Sequence, residues 1–136
     1  MATFTDCLGR EHALRITVAN LRPLRELGLS IDKIAEAGEA LGTLLFGDRE
    51  RLADALWAIR SGDAITRPDF DDGMDGPALE RGGEAMVEAV IDFSPRSKIA
   101  EKMRGRVRAM FETVDREMLA TMELAESSGS AGNSAV

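Results

Sequence analysis

The sequence predicts a mostly α-helical protein with an N-terminal β-hairpin, an α+β chain built as a small bundle of about five helices ending in one long helix. Three observations predict it. Residues 2–18 alternate polar and apolar side chains around a central Asp-Cys-Leu-Gly turn. From Asn20 onward the apolar spacing is helical. The 136 residues, 44% hydrophobic and 30% charged, suit one domain of 1–126 and are too few for two good cores.

The elements follow in order. Thr3-Phe4-Thr5 alternates, as does His12-Ala13-Leu14-Arg15-Ile16-Thr17-Val18, which aligns Leu14, Ile16 and Val18 on one face. Asp6 can close the turn through its side chain, and Gly9 can take a positive φ. Asn20 can cap a short helix with Leu21, Leu24 and Leu27 inward, Pro23 falling in its first turn, and Gly28 ends it. Ser30 can cap the next, a single helix to Phe46 with Ile31, Ile34, Leu41, Leu44 and Leu45 on one stripe, weakened by Gly38 and Gly42. Asp48 caps a third, with Leu52, Ala55, Leu56 and Ile59 at helical spacing.

Ser61 to Gly76 reads as a solvated loop with one short turn around Phe70. Pro77 suits the first turn of a helix that runs to Phe93, with Leu79, Met86, Val87, Val90 and Ile91 inward. Ser94-Pro95 breaks it and opens the last helix, so that 20–125 is the helical part of the domain, interrupted by the loop. That helix carries Ile99, Met103, Val107, Met110, Val114, Met118 and Met122, spaced 4, 4, 3, 4, 4, 4. Residues 127–136 are Ser, Gly, Ala and Asn up to the final Val136, with little to bury, and are expected to form a disordered tail. The expected core is Leu14, Ile16, Leu24, Leu41, Leu45, Leu56, Ile59, Val90, Val107, Met110 and Val114, with Trp57 partly buried at its edge.

Candidate chemistry is sparse. The formal charge of −7 argues against non-specific binding to nucleic acid or an anionic membrane. No apolar run approaches the ~20 residues needed to cross a bilayer. The N-terminus lacks the basic-then-apolar order of a signal peptide, and one cysteine excludes an internal disulfide, so a cytoplasmic protein is expected. Cys7 and His12 flank the hairpin turn, but a nucleophilic pair needs hydrogen-bond reach and an orienting third group. They read instead as a turn residue and an exposed strand residue, and the chain as no enzyme.

The aspartates of 69–75 fail the calcium-loop pattern. Counting from Asp71, position 3 is Gly73 and position 12 is Gly82; from Asp69, position 5 is Gly73 and position 6 is Met74. No metal or other cofactor is expected. Residues 96–108 hold six basic residues against one acid, Glu101, while 62–94 carry nine acids against two bases. Pairing within the chain accounts for the basic cluster better than nucleic acid does, because no aromatic is interleaved for base stacking. An acidic partner surface is the other use for Lys98 and Lys102. Met103, Met110, Met118 and Met122 form a stripe that can repack against different surfaces, and part of it can face a partner or a second copy.

The order of segments carries a resemblance. Thr3-Phe4-Thr5-Asp6, Gly9-Arg10-Glu11, Leu14-Arg15-Ile16-Thr17-Val18 and Leu21-Arg22-Pro23-Leu24-Arg25-Glu26 come first. An aspartate-rich loop follows, then Ala85 to Phe93 as Ala-Met-Val-Glu-Ala-Val-Ile-Asp-Phe, Ser94-Pro95 and a long charged helix. This resembles the tail assembly chaperone-like proteins of siphovirus-like phages and prophages, over about residues 3–125. The resemblance implies a non-enzymatic protein, in the host cytoplasm if phage-encoded. It implies binding to a helical partner such as the tape measure protein, keeping it soluble until the tail tube polymerises. It supplies no catalytic residue. The alternatives are another phage structural or connector protein, or a bacterial helical adaptor or regulator that binds acidic partners or nucleic acid through residues 96–108.

Overall fold

The computed structural model describes residues 2–36, 38–62, 64–94 and 97–134, with side chains described at the same positions except 97–99 and 123–134. Strand β1 (Ala2–Thr5) pairs antiparallel with β2 (Glu11–Leu14), Phe4 opposite His12 and Ala2 opposite Leu14. The sequence does not announce a third strand. Arg60 and Ser61, directly after a helix, pair with Leu14 and Ala13 to form β3 (Arg60–Ser61) and complete the order β1-β2-β3. A two-stranded hairpin is marginal alone, and this edge gives it a partner.

The turn is closed by Asp6. Its backbone N–H donates to the Arg10 carbonyl at 2.8 Å, and its Oδ1 accepts the N–H groups of Leu8 and Arg10 at 3.0 and 2.9 Å. Gly9 sits at φ 82°, a conformation in which a Cβ is strained.

Helix α1 (Val18–Glu26) begins earlier than the alternation suggests. Thr17, not Asn20, is the N-cap, and Asn20 reaches back so that its Oδ1 accepts the Thr17 N–H at 2.7 Å. Asn20 Nδ2 also donates to the Ala58 carbonyl at 2.9 Å, tying α1 to the next long helix. Val18 therefore leaves the strand face and is 77% exposed. Pro23 lies inside the helix rather than in its first turn, and the exposed Ala19 loses its intrahelical donor there. The expected second helix is two: α2 (Ile31–Ala35) and α3 (Glu39–Phe46), with Gly38 as the N-cap of α3. Gly38 has the low helix propensity that permits the break. α4 (Arg49–Ile59) starts at Asp48, whose Oδ1 accepts the N–H groups of Glu50 and Arg51 at 2.9 and 3.3 Å. Arg51 then donates to the carbonyls of Leu27 and Gly28 at 2.9 and 2.8 Å, satisfying the C-terminal end of α1.

The expected acidic loop is largely structured. α5 (Arg67–Asp72) is capped by Thr66 and buries Phe70 completely. α6 (Gly76–Phe93) is capped by Asp75 and has Pro77 in its first turn. It is the central helix, packed on β1, α3 and α4. Gly82 permits that closeness: a Cβ there would lie 2.6 Å from Leu56 Cδ1 and 3.5 Å from Phe4 Cζ. Leu14, Ile16, Leu24, Leu41, Leu56, Ile59 and Val90 are buried as expected, and Leu45 and Trp57 are half-buried.

α7 (Ser97–Ser134) is the last of seven helices among the described residues. The chain divides into two compact units, Met1–Arg104 and Gly105–Val136. Met103 is fully buried in the first unit. Val107, Met110 and Val114 fall in the second and are only half-buried, not core. No helix among the described residues is long and apolar enough to cross a membrane.

Candidate functional site

Two places concentrate chemistry. The first is a buried polar cluster at the hairpin. His12 is 1% exposed, so it is not the exposed strand residue its polarity suggests. Its ring lies 5.2 Å from the ring of Phe4 and 5.3 Å from that of Phe70, the latter edge-on. Trp57 packs on Phe70 at 5.3 Å, and the Arg67 guanidinium sits over Trp57 at 5.9 Å.

The hydrogen bonds of His12 define its tautomer. Arg60 Nε donates to His12 Nδ1 at 2.9 Å, so Nδ1 is an acceptor. The proton is then on Nε2, which donates to Asp6 Oδ2 at 2.8 Å. Asp6 Oδ2 also accepts Arg10 Nε at 2.9 Å, so the carboxylate receives four hydrogen bonds. Burial pushes the Asp6 carboxyl up, but the bonds from His12, Arg10 and Leu8 together outweigh it and hold the pKa down at about 2. Arg10 reaches on to the Asp69 carbonyl, and the Cys7 N–H donates to the Gly73 carbonyl at 2.9 Å, joining hairpin to α5. Gly73 fits only because it lacks a side chain, since a Cβ would run into the Asp6 carboxylate.

This arrangement fastens the hairpin turn, β3 and α5 together. Both ring nitrogens of His12 are engaged, while Cys7 is exposed with its Sγ near the Asp72 carbonyl at 3.7 Å. The structure does not bring Cys7 and His12 together as base and nucleophile. Sequence parity holds a signal for the cluster: His12 shares the face of Leu14 and Ile16. Arg60 and Phe70 carry no comparable signal.

The second place is the surface of α7. Of the stripe singled out from the sequence, Met103 is buried and cannot contact a partner as it stands. Met110 is half-buried, and Met118 and Met122 are 59% and 58% exposed. Leu119, outside the stripe, is 61% exposed and adds to the apolar surface. Lys102 is exposed, and the side chain of Lys98 lies outside the described residues. Among the described residues the expected pairing of basic and acidic segments is present at one position. Arg104 meets both carboxylate oxygens of Glu88, at 3.2 and 3.1 Å, and that carboxylate raises the Arg104 pKa. Among the described residues no group of three or more His, Cys, Asp or Glu could hold a metal ion.

Compared with known proteins, the chain matches no family, no curated sequence and no solved structure.

Proposed function

We propose that this chain is a non-enzymatic phage or prophage tail assembly chaperone-like protein, holding a helical partner such as the tape measure protein along α7. One observation carries the reading: Met118, Leu119 and Met122 expose large apolar side chains together on one long helix. Contiguous exposed apolar surface on a soluble chain marks an interaction site. Methionine suits a surface that must fit many similar helices, because its side chain is unbranched and adapts to imperfect register. An amphipathic partner helix can lie against such a face through anchors spaced a helical turn apart. The hairpin cluster supports the reading by elimination, since its histidine has both ring nitrogens engaged.

The test is co-expression with a tape measure protein, the long helical partner this reading names. The partner is expected to be more soluble with the chain than without it, and to co-purify. Met118→Asp with Met122→Asp removes the gain while circular dichroism stays unchanged. No gain and no co-purification would overturn the proposal and favour the connector or adaptor alternative.

A further inference from the structure

We propose that the buried His12 cluster is a pH-sensitive clasp on β3: a proton on His12 Nδ1 and the hydrogen bond from Arg60 exclude one another, so acidification frees β3 from β2 while the hairpin stays closed. This clasp does not use α7 and does not depend on the chaperone reading. Arg60 Nε donates to His12 Nδ1 at 2.9 Å, which requires a bare ring nitrogen. In the protonated ring both nitrogens are donors, and the imidazolium faces a guanidinium. The other nitrogen has the opposite preference. Nε2 donates to Asp6 Oδ2 at 2.8 Å in either state, and a positive ring strengthens that bond. Asp6, with its pKa at about 2, is still a carboxylate where histidines take up a proton, ordinarily about pH 6.5.

The surroundings of the ring divide accordingly. The turn brings Asp6, and Arg10, which donates to the same Oδ2 at 2.9 Å. β3 brings Arg60. β1 and α5 bring Phe4 and Phe70, which carry no charge, and α4 brings Trp57 behind Phe70, with Arg67 over it. On β2 itself Glu11 is exposed, and α6 sends Arg81 to the Thr5 carbonyl. Among the side chains that touch the ring, the anionic acceptor lies on the Nε2 side. A ring that is 1% exposed does not keep an unpaired Nδ1 donor, and moving β3 aside admits water to it. β3 is also the lighter seam of the sheet. It pairs only Ala13 with Ser61 and Leu14 with Arg60, continued by the Arg15 N–H on the Ile59 carbonyl at 3.0 Å. The β1–β2 seam runs from Ala2–Leu14 to Thr5–Glu11 and is closed by the bonds of Asp6.

An NMR titration of the full chain, with amide hydrogen exchange, tests this. The His12 Nδ1 resonance is expected to change from the bare to the protonated shift at the midpoint where the Arg60 Nε–H signal loses its hydrogen-bonded shift. Across that midpoint the protection factor of the Arg15 amide should fall about tenfold, the lower end for one hydrogen bond to a charged group. The amides of Met86 and Val90 in α6 should keep theirs. Arg60→Met should raise the His12 midpoint by about one unit, because it removes a group that favours the neutral ring. A His12 that stays neutral until the whole chain unfolds overturns the proposal. So does a protonated His12 with the Arg60 signal and Arg15 protection unchanged, or an Arg60→Met midpoint at or below that of the wild type. Loss of α6 protection at the His12 midpoint would mean global acid unfolding and overturns it too. The wild-type titration decides alone should Arg60→Met fail to fold.

Discussion

The hairpin with its neighbouring helices and the outer part of α7 treat apolar side chains in opposite ways. Around β1, β2 and α6, Phe4, Leu14, Leu56, Phe70, Met86 and Val90 are all buried. Along 105–122 of α7, the apolar residues are half-buried or exposed. The physical reason lies in the backbone. A helix satisfies its own peptide groups and can leave a side-chain face uncovered, whereas a short hairpin needs neighbours for both edge and face. The polar groups follow the same division. Asp6, His12, Arg10 and Arg60 are interlocked in the first region, and no described buried side-chain nitrogen or oxygen lacks a hydrogen bond. In the second, the charges are left on the surface.

Substitutions in the two regions should therefore differ in kind. The largest loss is expected at Phe70→Ala, which empties a fully buried site against His12 and Trp57. Urea denaturation should show a loss of about 3–5 kcal/mol. A loss under about 1 kcal/mol would mean that α5 contributes little to the body.

Next comes acid sensitivity through Asp6. Its folded pKa of about 2 lies below the unfolded value of 3.8, so as pH falls the unfolded chain takes up the proton first. The stabilisation, about 2 kcal/mol, is complete above about pH 5 and is lost toward pH 2. Asp6→Asn should be less stable at pH 7 and should flatten this part of the pH profile. An unchanged profile would show that other carboxylates dominate acid unfolding.

Gly82→Ala should cost about 1–3 kcal/mol, because α6 would have to shift from Leu56 and Phe4 to admit a methyl group. Gly105 provides the contrast, since a Cβ added there would meet nothing within 4 Å. Gly105→Ala should be neutral to slightly stabilising, by up to about 1 kcal/mol, from helix propensity alone. The smallest effect on stability is expected at Met118→Ser, within about 0.5 kcal/mol by thermal unfolding, because its side chain is already exposed. A drop of several degrees in Tm there would show that the α7 face is packed within the chain.

Fold class and most of the helical core are legible in the order of residues alone. Regular alternation and 3.6-residue spacing are local properties, and burying their apolar faces is the dominant favourable term in folding. Leu14, Ile16, Leu24, Leu41, Leu56, Ile59 and Val90 are legible for that reason, as are the cap at Asp48 and Pro77's place at the start of α6. The boundary at Thr17, the break at Gly38 and the short α5 are not, because each is a contest between small local preferences that distant contacts settle. At His12 polarity and parity point opposite ways, and parity wins. Only the folded chain brings Asp6, Arg60 and Phe70 around its ring, and a buried histidine is stable only when both ring nitrogens find partners. The methionine stripe of α7 is visible as a pattern from its spacing. Its division into buried Met103 and exposed Met118 and Met122 is decided by the fold, because a helical repeat is the same whether or not anything lies against it.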